Sequence, residues 1–209
     1  DIGLMAYVSG DGIGWRKLQD EPVITKGAFD SQNVAFWSES EQCYLCYLRI
    51  FSEGYRSISR TTSKDFVNWT EPREMSYGDT PREHLYTNQT HPYYRAPHIY
   101  IATAARFCPD RKVITDQEAK ELKVPSKYAN DCSDAVLMVS RGGYEYDRTF
   151  LEGLLRPGLG LSNWNSRSNY PALNVVETSP EEMSIYVHQD YVQPTVHLRR
   201  YVLRLDGFV

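Results

Sequence analysis

The sequence predicts an all-β protein, a β-propeller of which this chain supplies only part of the ring. Three observations lead there. A seven-residue pattern recurs three times, each time after a strand-like run. A second pattern, an apolar strand opened by polar residues, recurs upstream of the first. Aromatic residues make up 13% of the 209, with 16 Tyr, while 13 Gly and 11 Pro punctuate the chain. That composition favours strands joined by turns.

The seven-residue pattern is Ser, turn residues, then an aromatic six positions on. Its copies are Ser9 to Trp15, Ser63 to Trp69 and Ser140 to Tyr146. The preceding runs are Leu4 to Val8, Tyr55 to Arg60 and Ala135 to Val139. Asp-Gly or Gly-Gly at such a place turns a hairpin, and the aromatic packs back over it. The opener strands are Phe29 to Trp37, Tyr94 to Ala102 and Asn169 to Val176. A middle strand follows, from Gln42 to Arg49 in one unit and from Met183 to His188 in the last. Repeating four-stranded units of roughly 40–65 residues define a propeller, whereas a sandwich would not repeat the same spacing. The units fall at about 1–25 (partial), 26–82, 83–160 and 161–209. An insertion at about 109–130 lengthens the third, and Asp116 to Lys123 within it reads as a short surface helix. Both ends of the sequence fall inside a unit. Closed propellers use roughly 4–8 blades, so the reading expects a longer chain or self-association to complete the ring.

Charge narrows the partners. Charged residues are 24% and the net charge is −4, which excludes a basic nucleic-acid footprint. No apolar run approaches the ~18 residues of a membrane span. Cys43 and Cys46, three apart in a strand, face opposite sides and cannot bond to each other. Cys108 and Cys132 bracket the insertion and would meet if their strands pair, as a disulfide or as two buried thiols.

In a propeller the innermost strand of each blade lines the central tunnel, and its start opens on one funnel face. That places Asp30, Arg95 and Tyr170 at the funnel, with Gln32, Asn33 and Tyr94 beside them. Trp164 and Arg167 lie on the loop entering the third opener; Glu83, His84, Tyr86 and His91 lie on the loop entering the second.

The Asp-led opener, the middle strand Tyr44-x-x-Tyr47-x-Arg49 and the turn Ser63-x-Asp65-x-x-x-Trp69 together resemble the five-bladed propeller glycoside hydrolases related to families 32 and 43. A closer likeness is to an uncharacterised bacterial group of that superfamily, carried by Asp30 to Asn33, Tyr94 to Tyr100 and Leu198 to Phe208. The resemblance implies a five-bladed ring with a carbohydrate in its funnel. It also implies carboxylates at the starts of three inner strands, two of them flanking the scissile bond ~5–9.5 Å apart. Asp30 fits one such place, and Glu83 could reach the funnel from its loop. The Arg-Asp-Pro of family 32 is here Arg95-Ala96-Pro97, and the third opener offers Asn169 and Tyr170 in place of a carboxylate. Tyr94, Arg95, Gln32, Asn33, His91, Arg167, Tyr170 and Trp164 are the expected sugar contacts, and Arg95 is the expected partner of Asp30. No cofactor is expected. Some relatives hold a tunnel metal with a His, for which His98 is the residue here, although a hydrogen-bonded core His is its ordinary reading. Three readings stand: a glycoside hydrolase-like enzyme, a non-catalytic carbohydrate-binding propeller lacking the full carboxylate set, and a purely structural fragment that is folded but inert because the ring is incomplete.

Overall fold

The computed structural model describes residues 3–208; Asp1, Ile2 and Val209, the extreme ends of the first and last predicted units, lie outside that range. The chain is all-β apart from short helical turns. Strands β1 (Tyr7–Val8) and β2 (Arg16–Lys17) pair antiparallel, and Leu4 bridges to Ile24 beside them. The second sheet is a meander of β3 (Val34–Ser38), β4 (Cys43–Ser52), β5 (Tyr55–Ser63) and β6 (Arg73–Glu74). The third holds β7 (His84–Thr87), β8 (His91–Tyr93), β9 (Ala96–Cys108) and β10 (Cys132–Ser140). Both β7 and β8 pair with one side of β9, and β10 pairs with the other. Helices α1 (Asp116–Glu121) and α2 (Ser126–Ala129) interrupt the β9–β10 connection. The fourth sheet holds β11 (Tyr170–Pro171), β12 (Val176–Ser179), β13 (Glu182–Gln189) and β14 (His197–Arg204).

Strand alternation decides which faces meet. On β9, Tyr100, Ala102 and Ala104 point to the second sheet and pack with Tyr47, Ile58, Met138 and Tyr146. Ile101 points the other way, joining Met183, Ile185 and Val187 of the fourth sheet. On β4, Cys43, Leu45 and Tyr47 face the third sheet, whereas Cys46 and Leu48 face Leu4 and Ile24 of the first. Each of these two sheets therefore buries both faces against its neighbours in chain order, as a period of two requires. A fully buried side chain of this size contributes about 1.5–3 kcal/mol.

Two of the three repeated turns share one mechanism. Ser9 Oγ and Asp11 Oδ1 accept the N–H groups of Gly12, Ile13 and Gly14, and Trp15 Nε1 donates to Gly12 O at 3.1 Å. Ser63, Asp65 and Trp69 repeat this, with Trp69 Nε1 on Phe66 O at 3.0 Å. Those bonds hold the Asp65 carboxyl far below its usual range, led by the Asn68 N–H. The third copy departs. Gly142 and Gly143, with φ of 101° and 65°, replace the Asp, and Tyr146 turns inward to bond Thr90.

The helix forms where expected. Thr115 and Glu118 make a capping box, and the helix stops at Glu121, two residues short of Lys123. Cys108 and Cys132 sit directly opposite on β9 and β10, and both are free thiols.

One strand assignment is corrected. The segment Tyr94 to Ala102 is not the first strand of its sheet; β7 and β8 precede it at the sheet edge, and Ala96 onward is the next strand, β9. That edge is broken at Asn88 to Thr90, where Gln89 has a φ of 50°, so its polar residues read as loop.

Candidate functional site

Segments from the second, third and fourth sheets meet at one side chain. Gln89, 1% exposed, donates through Nε2 to Gln32 Oε1 and to Pro171 O at 2.8 Å. Two residues on, the buried His91 uses both ring nitrogens: Nδ1 faces Gln89 O at 2.7 Å, and Nε2 accepts the Val175 N–H at 3.1 Å. That pattern fixes the neutral ring, and burial pushes its pKa down. Gln32 and His91, expected as sugar contacts, here hold neighbouring segments together.

Beyond this joint, a cluster of arginines and aromatics spans the second, third and fourth sheets. It begins on β4. Past Tyr47 the same face continues with Arg49 and Phe51, beyond the apolar core. A two-residue turn, Glu53 and Gly54 with φ of 50° and 85°, brings Arg56 directly opposite Phe51. The Arg49 and Arg56 guanidinium carbons lie 4.7 and 5.3 Å from the Tyr86 ring centre. Arg56 also covers Phe107 at 4.7 Å.

The fourth sheet closes the other side. Asn169 Nδ2 ties the incoming loop to Ser133 O and Asn163 O, and the Arg167 N–H donates to Ser133 Oγ. Arg167 then projects to 5.9 Å from Tyr86 and 5.3 Å from Tyr128 of α2, and its Nη1 donates to Tyr191 Oη at 3.2 Å. Tyr170 lies 5.5 Å from Tyr86, ring centre to ring centre. Burial pushes the Tyr170 phenol well up, whereas hydrogen bonds from Lys127 and Tyr191 bring the Tyr128 phenol down.

Three guanidinium groups therefore surround one tyrosine ring. Among the described residues, Asp30 is the single carboxylate bonded to the cluster, through Arg49. The Nε atoms of Arg49 and Arg56 are buried without a partner. A cation–π contact contributes about 0.5–2 kcal/mol. Two unit charges ~8 Å apart repel by about 2 kcal/mol at an effective dielectric of ~20. The ring alone does not offset three cations, and the cluster keeps excess positive charge.

Several expected site residues lie elsewhere. Arg95 pairs with Asp206 at 3.1 Å, not with Asp30, and Tyr94 meets Tyr93 edge to face. Both sit in the β8–β9 turn, and at ~3.3 Å per residue the 13-residue β9 puts them about 40 Å from its Cys108 end. Glu83 is bound by Arg106 and, at 3.2 Å, by Arg148, in a network that Asp134 completes. Asn33 Nδ2 closes its own turn on Phe29 O and Ser31 O. Trp164 donates to Gly158 O and packs on the helical insertion. His98 is exposed on β9, neither in a core nor in a tunnel. Among the described residues, no three His, Cys, Asp or Glu side chains are placed to share a metal ion. Asp30, through Arg49, lies in the same cluster around Tyr86 as Arg167 and Tyr170. Arg49, Arg56, Tyr128 and Tyr191 were not expected, although Arg49 ends the quoted Tyr-x-x-Tyr-x-Arg strand.

No protein-family model and no curated protein matches the chain. Solved structures do. An N-acetylgalactosamine deacetylase from F. plautii, in complex with blood group B trisaccharide, matches with a TM-score of 0.55 and 8% identity, over 88% of this chain and 53% of that one. A complex of BT0996 with RGII matches with a TM-score of 0.47 and 10% identity, over 90% and 51%. The sequence thus spans about half the length of these structures. At such identity the likeness to the deacetylase is one of fold.

Proposed function

We propose that this chain forms blades of a five-bladed β-propeller, of the kind seen in the family 32 and 43 glycoside hydrolases, and binds a carbohydrate at the Tyr86 cluster. The observation that carries the reading is the grouping of Tyr86, Tyr170, Tyr128 and Tyr191 with arginines where three sheets converge. Aromatic faces take the apolar side of a sugar ring, and fixed donors take its hydroxyls. The carbohydrate-bound deacetylase of similar fold supports the ligand class. In this reading the second, third and fourth sheets are blades, and Gly3 to Ile24 is part of another.

Binding without hydrolysis is the form favoured for these residues. Asp30 is engaged by Arg49, and Glu83 is held in a separate ion network. A two-carboxylate mechanism needs one group protonated and both free to flank the bond. A glycan-binding screen tests the proposal: Tyr86→Ala should lose at least about tenfold in affinity for whichever glycan binds. Retained affinity would move the site elsewhere. Hydrolysis of aryl glycosides that is abolished in Asp30→Asn would restore the enzyme reading.

A further inference from the structure

We infer that the carbohydrate taken by this site carries an anionic group, a carboxylate or a sulfate ester, received between Arg56 and Arg167. The inference rests on the proposed carbohydrate site and names the class of its ligand.

Arg49 already has Asp30. Arg56 and Arg167 have no carboxylate among the described residues, yet both lie within 5.9 Å of the centre of one ring. Arg167 is partnered by a neutral phenol, Tyr191. Arg56 lies over the rings of Tyr86 and Phe107 and keeps its Nε buried without a partner. Elsewhere the same chain neutralises its buried arginines with acids: Glu41 on Arg60, and Glu83 with Asp134 on Arg106. The cluster is the exception, and Arg56, Arg167 and Tyr86 each keep part of their surface open to solvent. A guanidinium fork matches a planar carboxylate or two sulfate oxygens, and its face stacks on aromatic rings. The hydroxyls of a neutral sugar would accept from both forks but leave their charge uncompensated. A free inorganic anion would leave the four tyrosine rings without a role.

Calorimetric titration of the chain tests this with four probes: a hexuronic-acid trisaccharide, its methyl ester, a sulfated neutral trisaccharide and the unsulfated parent. The acid or the sulfate ester should bind at least about tenfold more tightly than its uncharged counterpart. The pair that shows the difference identifies the anion. That preference should fall away in Arg56→Gln and in Arg167→Gln, and should weaken as salt is raised. Arg56→Lys, which keeps the charge and loses the fork, should retain the salt dependence at reduced affinity. The four-probe comparison needs no variant, so it stands even where a substitution harms folding. Equal affinity for charged and uncharged partners would overturn the inference and leave carbohydrate binding in place. Failure of all four, together with every glycan of the wider screen, would overturn both.

Discussion

Two arginine clusters share the end of one strand and are built in opposite ways. Arg106 of β9 belongs to a closed network in which Glu83 and Asp134 face Arg106 and Arg148. Phe107, the next residue, points to the other side and belongs to the open cluster with Arg56. The first cluster has two cations and two carboxylates. The second has three cations, one carboxylate and mostly aromatic neighbours. Even the backbone is fitted to the closed one: a Cβ on Gly153 would meet Asp134 Oδ2 at 2.6 Å. The difference teaches where charge serves folding and where it is held ready for something outside the chain.

The largest effect should come from making one chemical edit in both clusters. Glu83 uses both oxygens as acceptors, so Glu83→Gln turns one of them into a donor facing an arginine. Arg148, whose side chain is 1% exposed, would be left without a counter-charge. The expected cost is about 3–5 kcal/mol, the range for breaking a buried pair. Asp30→Asn keeps the one oxygen that Arg49 uses. Asp30 is 73% exposed, and the expected cost is at most about 1 kcal/mol. Urea unfolding of both variants measures the contrast. Equal losses would mean that the two clusters do the same work.

A middle-sized effect probes the strand end itself. Cys108 and Cys132 face each other across the ladder and share a proton, which holds the Cys108 thiol below its usual range and pushes Cys132 up. Desolvation pushes Cys46 up to about 12. Alkylation by iodoacetamide should therefore mark Cys108, the least buried of the four, first. Peptide mapping reads the order of labelling. Labelling of Cys132 ahead of Cys108 would show that the ladder opens there, and that the two clusters do not share a rigid strand.

How much of this was legible in the sequence follows from range. The Ser-x-Asp turns are local: their donors and acceptors lie within three residues, so the pattern itself carries the structure. The broken edge of the third sheet was not legible, because its kink at Gln89 is stabilised by Gln32 and Pro171, 57 and 82 positions away. Asp30, Arg167 and Tyr170, which lie in this cluster, could be singled out in the sequence because they stand at or just before strand entries. Arg49 and Arg56 flank the β4–β5 turn, near the end of one long strand and at the start of the next, where an alternating pattern looks alike whether it runs into solvent or into a site. Only the third sheet, through Tyr86 and Phe107, shows which it is.

The smallest effect is the sharpest test of the comparison, because its sign differs from the usual one. Most substitutions at partly buried positions destabilise by about 1 kcal/mol. Arg56→Gln removes a cation that repels Arg49 and Arg167 and has no acid to lose. It also removes stacking on Phe107, so the two contributions nearly cancel. The expected change is between zero and a gain of about 0.5 kcal/mol at low salt, shrinking as salt screens the repulsion. Thermal unfolding at two ionic strengths reads it. The matching edit in the closed cluster, Arg106→Gln, strands Asp134 and leaves Glu83 to Arg148 alone, and should cost several kcal/mol at either salt. A loss of stability in Arg56→Gln comparable to that of Arg106→Gln would show the open cluster to be a structural clamp. A neutral or stabilising result joined to weaker glycan binding would mark Arg56 as held at a cost to the fold for the sake of the ligand.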